Sequence, residues 1–408
     1  MSSSVGGSPW TPEQARQYEV VVEHHLRDDA IEPSDPAALA YHRRDEIIVH
    51  KRDLDRFADA PRAAECTRRA APFGYAVDDA VESRSPVPFA LYAPPPGVGP
   101  IEYANELRAA DPGLRAAANH VMFAMPYAHA SVGPPRLADA IPTPEGDAGA
   151  GVVIGVVDTG VWTSHPWFEE RVGPLSSLAV DQELPEGDPL PAEAGHGTFV
   201  AGLIHRIAPG ARVVVAGTLN PWGYASDADV AAAIAALVWA NAKVINLSLG
   251  GYTDGDLGPV ALASVLETLP PDVAVVASAG NKWSNRPVWP AAFSGVLAVG
   301  ALEETAGQPA AWTNYGQWVD ACAPGVDLAS AFFGHYGRAS RLTPAATQRP
   351  LDFQGFATWS GTSFAAPQLT GAIAVEMSRS PGTSARVAAA KLLSTGRVVR
   401  ALGTEFAL

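Results

Sequence analysis

Ser360-Gly361-Thr362-Ser363-Phe364-Ala365-Ala366-Pro367 joins two kinds of sequence. A short turn rich in Gly, Ser and Thr ends at Ser363. An apolar run over residues 364–377 follows, with small residues at helical spacing. Pro367 comes early enough in that run for a first helical turn. A serine at the start of a buried helix has its hydroxyl and its backbone N–H beside the positive end of the helix dipole. That suits a nucleophile whose attack creates an oxyanion. A serine hydroxyl still needs a base to take its proton, and the base must come from elsewhere in the chain.

Outward from this stretch, the sequence alternates between strand and helix patterns. Residues 151–157 form an apolar, β-branched run that ends at Asp158 and reads as a buried parallel strand. Residues 212–217, 244–249, 273–277 and 296–300 read as further strands, with helices over 228–240 and 258–269. This alternation predicts an α/β fold, a doubly wound and mostly parallel sheet with helices on both faces. In such sheets catalytic groups lie past the carboxyl ends of strands, where Asp158 and Asn281 fall.

Residues 46–125 have a different rhythm. Strands over 46–49, 74–77, 88–92 and 119–124 and helices over 54–69 and 101–110 predict a small α+β module of β-α-β-β-α-β order. Residues 1–45 read as a polar extension with a modest helix over 13–27. The adjacent His24 and His25 would not share a helix face, which favours a solvated surface over a metal site. Residues 126–150, rich in Pro, Gly and Ala, read as a linker, and 151–408 as the large domain.

The totals bound the function. A chain of 408 residues with 47% hydrophobic and 17% charged content can bury a sizeable core. A net charge of −15 argues against nucleic acid or an anionic membrane as partner. No uninterrupted apolar run approaches the ~18 residues of a membrane span. Cys66 and Cys322 are far apart, so no disulfide framework is expected. The start has neither a basic nor an apolar leader region, which points to the cytoplasm. A start codon upstream of Met1 would instead allow a leader and a secreted protein.

Three short motifs are weak alone. Asp158-Thr159-Gly160 is also ordinary turn chemistry, His196-Gly197-Thr198 admits a structural histidine, and Asn281 a turn asparagine. Together they are specific. Asp158, His196 and Ser363 occur in the order Asp, His, Ser, one of the convergent orders of the serine triad, with Asn281 between the last two.

On these residues, 151–400 resemble the catalytic domain of the subtilisin-like serine proteases (subtilases, peptidase family S8). The resemblance extends through Ser164-His165-Pro166, Val200-Ala201-Gly202, the run from Val244 to Gly251, Trp289-Pro290-Ala291 and Ala323-Pro324-Gly325. The related sedolisins use a carboxylate base, which the setting of His196 excludes. The resemblance implies a serine endopeptidase with Ser363 as nucleophile, His196 as general base and Asp158 orienting it. It places Asn281 and the Ser363 N–H in the oxyanion hole. It also implies that Ser248, Leu249 and Gly250 pair with the substrate backbone, and that Ala279 and Gly280 wall the pocket before the cut. The N-terminal module resembles the family's propeptide, an inhibitor and folding aid of a zymogen that acts in cis. Two other classes use the same residues. A catalytically silent protein would hold a peptide, its own module included, in the cleft, and an esterase would have no need of the strand at Ser248.

Departures from the family carry expectations too. Phe199 stands where a second His is common. Trp167 and the segment 204–210 lack the oxygen ligands of the family's calcium site, so no metal or cofactor is expected. Trp283 is positioned to narrow the cleft, and the long loop-like segment 332–355 reads either as a rim or lid or as a plain surface insertion. A processing bond registered at Met125–Pro126 would carry proline after the cut. Either cleavage then occurs elsewhere in 126–150 or the module stays attached, and slow or absent self-processing is the expectation.

Overall fold

The structure, a computed structural model, describes residues 31–35, 40–70, 87–124, 135–168, 170–175, 193–303, 307–334 and 353–407. In the N-terminal part these form strands β1 (Ile31–Asp35) and β2 (Ala40–His50), helix α1 (Leu54–Ala58), and strands β3 (Thr67–Arg69) and β4 (Phe89–Ala93). Helix α2 (Pro100–Ala110) and strand β5 (Ala116–Ala124) follow. All pairings are antiparallel, in the order β5-β2-β4-β3 with β1 added on β2.

Two boundaries differ from the sequence reading. Strand β2 begins at Ala40 and pairs with β1 from Ile31 onward, so a boundary at residue 46 would cut a strand in two. The helix expected over 54–69 stops at Ala58. Pro61 and a left-handed Arg62 (φ 59°) turn the chain, and Thr67–Arg69 becomes an edge strand on β4. The expected elements at 13–27 and 74–77, and His24 and His25, lie outside the described residues.

The apolar run Ile47-Ile48-Val49 shows why this sheet is not a free-standing one. Strand side chains alternate between faces. Ile47 and Val49 pack with Phe57, Tyr103 and Leu107 of the module's own helices. Ile48, with Phe89, Leu91 and Met122, faces the other way into the core of the large domain. Both faces are therefore covered, and all three residues are buried.

The chain then passes through β6 (Arg136–Leu137) into β7 (Val153–Asp158), β8 (Val172–Pro174), α3 (His196–Ile207), β9 (Arg212–Gly217), β10 (Tyr224–Ser226) and α4 (Asp227–Trp239). Next come β11 (Val244–Leu247), β12 (Leu249–Gly250), α5 (Val260–Leu266), β13 (Ala274–Ser278), β14 (Val296–Leu302), β15 (Ala321–Pro324), β16 (Leu328–Ala331) and β17 (Phe356–Trp359). Helices α6 (Thr362–Arg379) and α7 (Ala385–Thr395) and strands β18 (Arg397–Val399) and β19 (Gly403–Glu405) close the chain. Nine of the described strands form one sheet in the order β18-β19-β15-β14-β13-β11-β7-β9-β8. Every pairing in it is parallel except β18 with β19. The doubly wound α/β reading therefore holds.

Helix α4 explains how the two parts meet. Ser226 caps it by accepting the Asp229 N–H at 3.2 Å. Its Ala-rich sequence is apolar nearly all round and buries on both sides, against β7 and β9 and against β5 of the N-terminal sheet. No helix among the described residues is long and apolar enough to cross a membrane.

Candidate active site

Asp158 ends β7 at its carboxyl edge and His196 opens α3, and two glycines let these elements meet. A β-carbon on Gly197 would come within 2.1 Å of the Gly160 carbonyl oxygen, so only glycine fits there. The Thr159 hydroxyl accepts the Gly197 N–H at 3.1 Å, and the Thr198 hydroxyl accepts the Trp162 N–H at 2.8 Å. The Asp-Thr-Gly and His-Gly-Thr motifs are thus two halves of one interlock. Its product is a 2.7 Å hydrogen bond between His196 Nδ1 and Asp158 Oδ1, which also accepts the Thr159 N–H at 2.8 Å. A ring that donates from Nδ1 holds Nε2 as an acceptor, the form a base requires.

Ser363 lies in the first turn of α6. Pro367 is in the second turn rather than the first, because the helix already begins at Thr362. Its effect is specific. Without an N–H, Pro367 cannot bond to the carbonyl four residues back, which is that of Ser363. The Ser248 hydroxyl donates to that carbonyl instead, at 2.7 Å. Asn246 Nδ2 donates to Ser248 Oγ at 2.8 Å, and the Thr370 hydroxyl to Asn246 Oδ1 at 3.0 Å. A buried polar chain thereby ties the nucleophile turn to β11.

Asn281 is held by its oxygen end, which accepts the Thr362 N–H at 3.0 Å and the Thr362 hydroxyl at 2.9 Å. The other end of its amide is a donor, as an oxyanion contact needs. Gly280, with φ of 100°, donates its N–H to Thr362 Oγ1 at 3.0 Å, and Asn314 Nδ2 donates to the Ala279 carbonyl at 3.0 Å. Thr362 therefore joins Asn281, Gly280 and the turn that carries Ser363, a role that sequence reading missed.

One expected contact is not made. The Ser363 hydroxyl donates to the Ser248 carbonyl at 3.0 Å, and His196 Nε2 has no hydrogen-bond partner. Asp158, His196, Asn281 and Ser363 are each 0% exposed. The site is assembled but closed.

Strand β5 is part of what closes it. Ala124 pairs antiparallel with Leu249 and Phe123 with Gly250, along the strand expected to hold substrate. On its other side β5 pairs with β10, Phe123 opposite Tyr224. The N-terminal module thus inserts a strand between two edges of the large domain, as a bound peptide would. Asn119 Oδ1 accepts the Ala228 N–H at 3.3 Å at the start of α4, and His120 Nε2 accepts the Asp254 N–H at 3.3 Å. Burial lowers the His120 pKa to about 3. Met125–Pro126 lies outside the described residues.

Around His196 the walls are aromatic. Trp359 and Phe364 pack on its ring with centroids at 5.7 and 5.3 Å, and Phe199 packs on both. Trp167 is buried against Phe356, and His165 donates from Nε2 to the Gly355 carbonyl at 2.9 Å. Burial lowers the His165 pKa to about 4. Of the segment expected as a rim, Phe332, Phe333 and Phe353 are anchored in this cluster, while 335–352 lie outside the described residues. Trp283 is exposed and tilts against Tyr315 at 5.0 Å. Lys282 follows Asn281, and burial draws its ammonium down to about 8.

Comparison with known proteins identifies a family. Residues 149–405 match the Subtilase family, peptidase S8. Fervidolysin of Fervidobacterium pennivorans is 33% identical over 259 residues, covering 57% of this chain and 36% of that protein. The thermophilic serine proteinase of Bacillus sp. (strain AK1) is 32% identical over 237 residues, covering 55% of this chain and 52% of that one. The chain thus spans about a third to a half of the length of these relatives. The crystal structure of fervidolysin, titled a keratinolytic enzyme related to subtilisin, superposes with a TM-score of 0.59 at 21% identity. It covers 88% of this chain and 58% of that one, a likeness of fold.

Proposed function

The chain belongs to the Subtilase family, and from that premise we propose that it is a serine endopeptidase whose nucleophile is Ser363. The observation that carries this reading is the buried His196–Asp158 hydrogen bond of 2.7 Å, packed through Phe364 at 5.3 Å against a helix that opens at Thr362-Ser363. Ser363 Oγ would leave the Ser248 carbonyl, turn to His196 Nε2, and attack the scissile carbonyl as His196 takes its proton. His196 then returns that proton to the leaving amine, and Asp158 stabilises the imidazolium between the two transfers. The developing oxyanion would be met by the Asn281 amide and the Ser363 N–H. One such donor contributes about 2.7–4 kcal/mol in subtilisin. Water repeats the sequence on the acyl-enzyme, and no cofactor enters.

We read the N-terminal module as an inhibitor held in cis, supported by the pairing of Ala124 with Leu249 in the cleft. Its removal would expose the substrate strand. Proline at position 126 supports slow or absent self-processing at that bond. The mass of the wild type against Ser363→Ala tests this: rapid shortening of the wild type alone overturns it.

The test of the main reading is a fluorophosphonate probe on the full chain, read by intact mass beside Ser363→Ala. The expected result is one adduct on the wild type, formed slowly because Ser363 is buried, and none on the variant. A wild type that takes no adduct over many hours, or a variant that takes the same one, removes Ser363 as nucleophile.

A further inference from the structure

Asn220-Pro221-Trp222-Gly223-Tyr224 sets two aromatic residues around a glycine, in a stretch whose Asn, Pro and Gly read as a turn. The turn closes on itself. Asn220 Oδ1 accepts the Trp222 N–H at 3.0 Å and the Tyr224 N–H at 3.2 Å. The Asn220 N–H donates to the Tyr224 carbonyl at 3.0 Å, and the Gly223 N–H to the Asn220 carbonyl at 2.7 Å, with Gly223 at a φ of 82°. All of these bonds lie within the large domain, so the backbone that carries Trp222 and Tyr224 is set without the N-terminal module.

The register gives this wall a place on a substrate. Ala124 faces Leu249, and the next place along the strand faces Ser248, whose carbonyl is 3.0 Å from Ser363 Oγ. In a substrate of the same register, the residue opposite Ser248 is the last before the cut. The residue in the place of Phe123 is the third before it. Phe123 stands between Gly250, which brings no side chain, and Tyr224. Its ring is buried, with its centroid 6.2 Å from that of Tyr224 and 5.5 Å from that of Tyr41 in β2. Trp222 packs against the same cluster. In a strand added to a sheet edge, backbone bonds give affinity and the pockets for alternate side chains give specificity. With the module out of the cleft, Tyr41 and Phe123 are gone, while Tyr224 and Trp222 stay as an apolar wall. An aromatic ring in the place of Phe123 covers that wall, an alanine does not, and a charged side chain would lose its water there.

Resting on the endopeptidase reading, we propose that Tyr224, with Trp222 beside it, determines specificity, selecting polypeptides with an aromatic residue third before the cleaved bond. Two experiments on the full chain separate this from the reading it rests on. In the first, kcat/KM is measured on fluorogenic peptides that differ only in Phe, Leu or Ala at that place. Closure by the module lowers all three rates alike and leaves their ratios. The wild type is expected to prefer Phe over Leu by about two- to tenfold, and Leu over Ala by about tenfold. Tyr224→Leu keeps an apolar side chain on the wall. In that variant the Phe-to-Leu ratio is expected to fall to about one, while Leu stays ahead of Ala. Equal rates on the Phe and Leu peptides in the wild type, or an unchanged ratio in the variant, overturn the proposal.

The second experiment needs no turnover. Phe123→Leu is introduced beside Ser363→Ala, and melting is followed with Tyr224 intact and with Tyr224→Leu. Loss of the ring is expected to lower the transition by about 2–4 °C when Tyr224 is present, and by about half as much or less when it is replaced. This coupling in a chain that cleaves none of the peptides would keep the aromatic site and remove the endopeptidase reading. Absence of the coupling removes the site.

Discussion

Asp158 and Asp227 are both 0% exposed, in two regions of the molecule with opposite chemistry. In the candidate active site, Asp158 Oδ1 is met by the His196 ring N–H and the Thr159 amide, at 2.7 and 2.8 Å. Asp227 sits at the seam with the N-terminal module, at the start of α4. Neither of its oxygens makes a well-formed hydrogen bond, and among the described residues only the backbone amides of Ala261 and Ala228 approach it. Burial pushes its carboxyl well above the ordinary 3.8; the amides of Ala261 and Ala228 favour the charge, and the like charges of Asp229 and Glu46 oppose it. The centre meets one oxygen of its buried acid with two donors and leaves Oδ2 without a hydrogen bond, whereas the seam keeps a buried acid near other acids. A region that must hold still through a proton transfer needs the first arrangement. A region that comes apart, as the proposed release of the module requires, can tolerate the second, because separation returns the acid to water.

The largest way to test that contrast is to break the centre and leave the seam. Ser363→Ala should abolish hydrolysis, by about 10⁶-fold as the corresponding loss does in subtilisin, while the melting transition stays within a few degrees. A large drop in melting temperature would mean that the centre also holds the fold. Next, Asn281→Ala should lower kcat by about 10²–10³-fold with little change in KM, since the oxyanion contact exists only as charge develops. An effect confined to KM would place Asn281 in ground-state binding. At the seam, Ile48→Val removes one methyl group from the contact between β2 and the large domain and should cost about 0.5–1.5 kcal/mol. Faster fluorophosphonate labelling of Ser363 is the expected readout. An unchanged labelling rate would mean that loosening this seam does not open the site.

The same contrast governs what the sequence could reveal. Asp158, His196 and Ser363 were legible because each needs special backbone around it, and that need leaves Gly and Thr at fixed places, as at Gly160 and Gly197. The parallel sheet was legible because strands buried on both faces read as unbroken apolar runs. Strand β5 was harder. Its first residues, Ala116-Ala117-Ala118, carry no strand signal, and its pairing with Gly250 and Ser226 is set by contacts more than a hundred residues away. The first half of β2, with Arg43, Arg44 and Asp45, reads as polar surface because one strand edge there is covered only by β1. Thr362 was passed over as part of a turn, since its role depends on Asn281 arriving from another strand.

The smallest expected effect is the one whose sign is most informative. Asp227→Asn keeps the shape of the side chain and removes its charge. In the unfolded chain this carboxyl loses its proton near pH 4, while the folded chain holds it to higher pH. The folded state then binds more protons than the unfolded one, so Asp227 lowers stability as pH rises from about 4 through its raised folded pKa. The variant has no such proton. It should melt with the wild type near pH 4 and rise above it, by about 2–4 °C, by pH 8. His120 works in the other direction: with its pKa lowered to about 3 by burial, its contribution is present above 6.5 and lost as pH falls below that. It is common to both proteins and cancels in their difference, which isolates Asp227. A gap that is constant with pH, or a variant less stable at pH 8, would mean that the buried acid is matched by contacts after all. The seam would then be built like the centre, and the release of the module would need another cause.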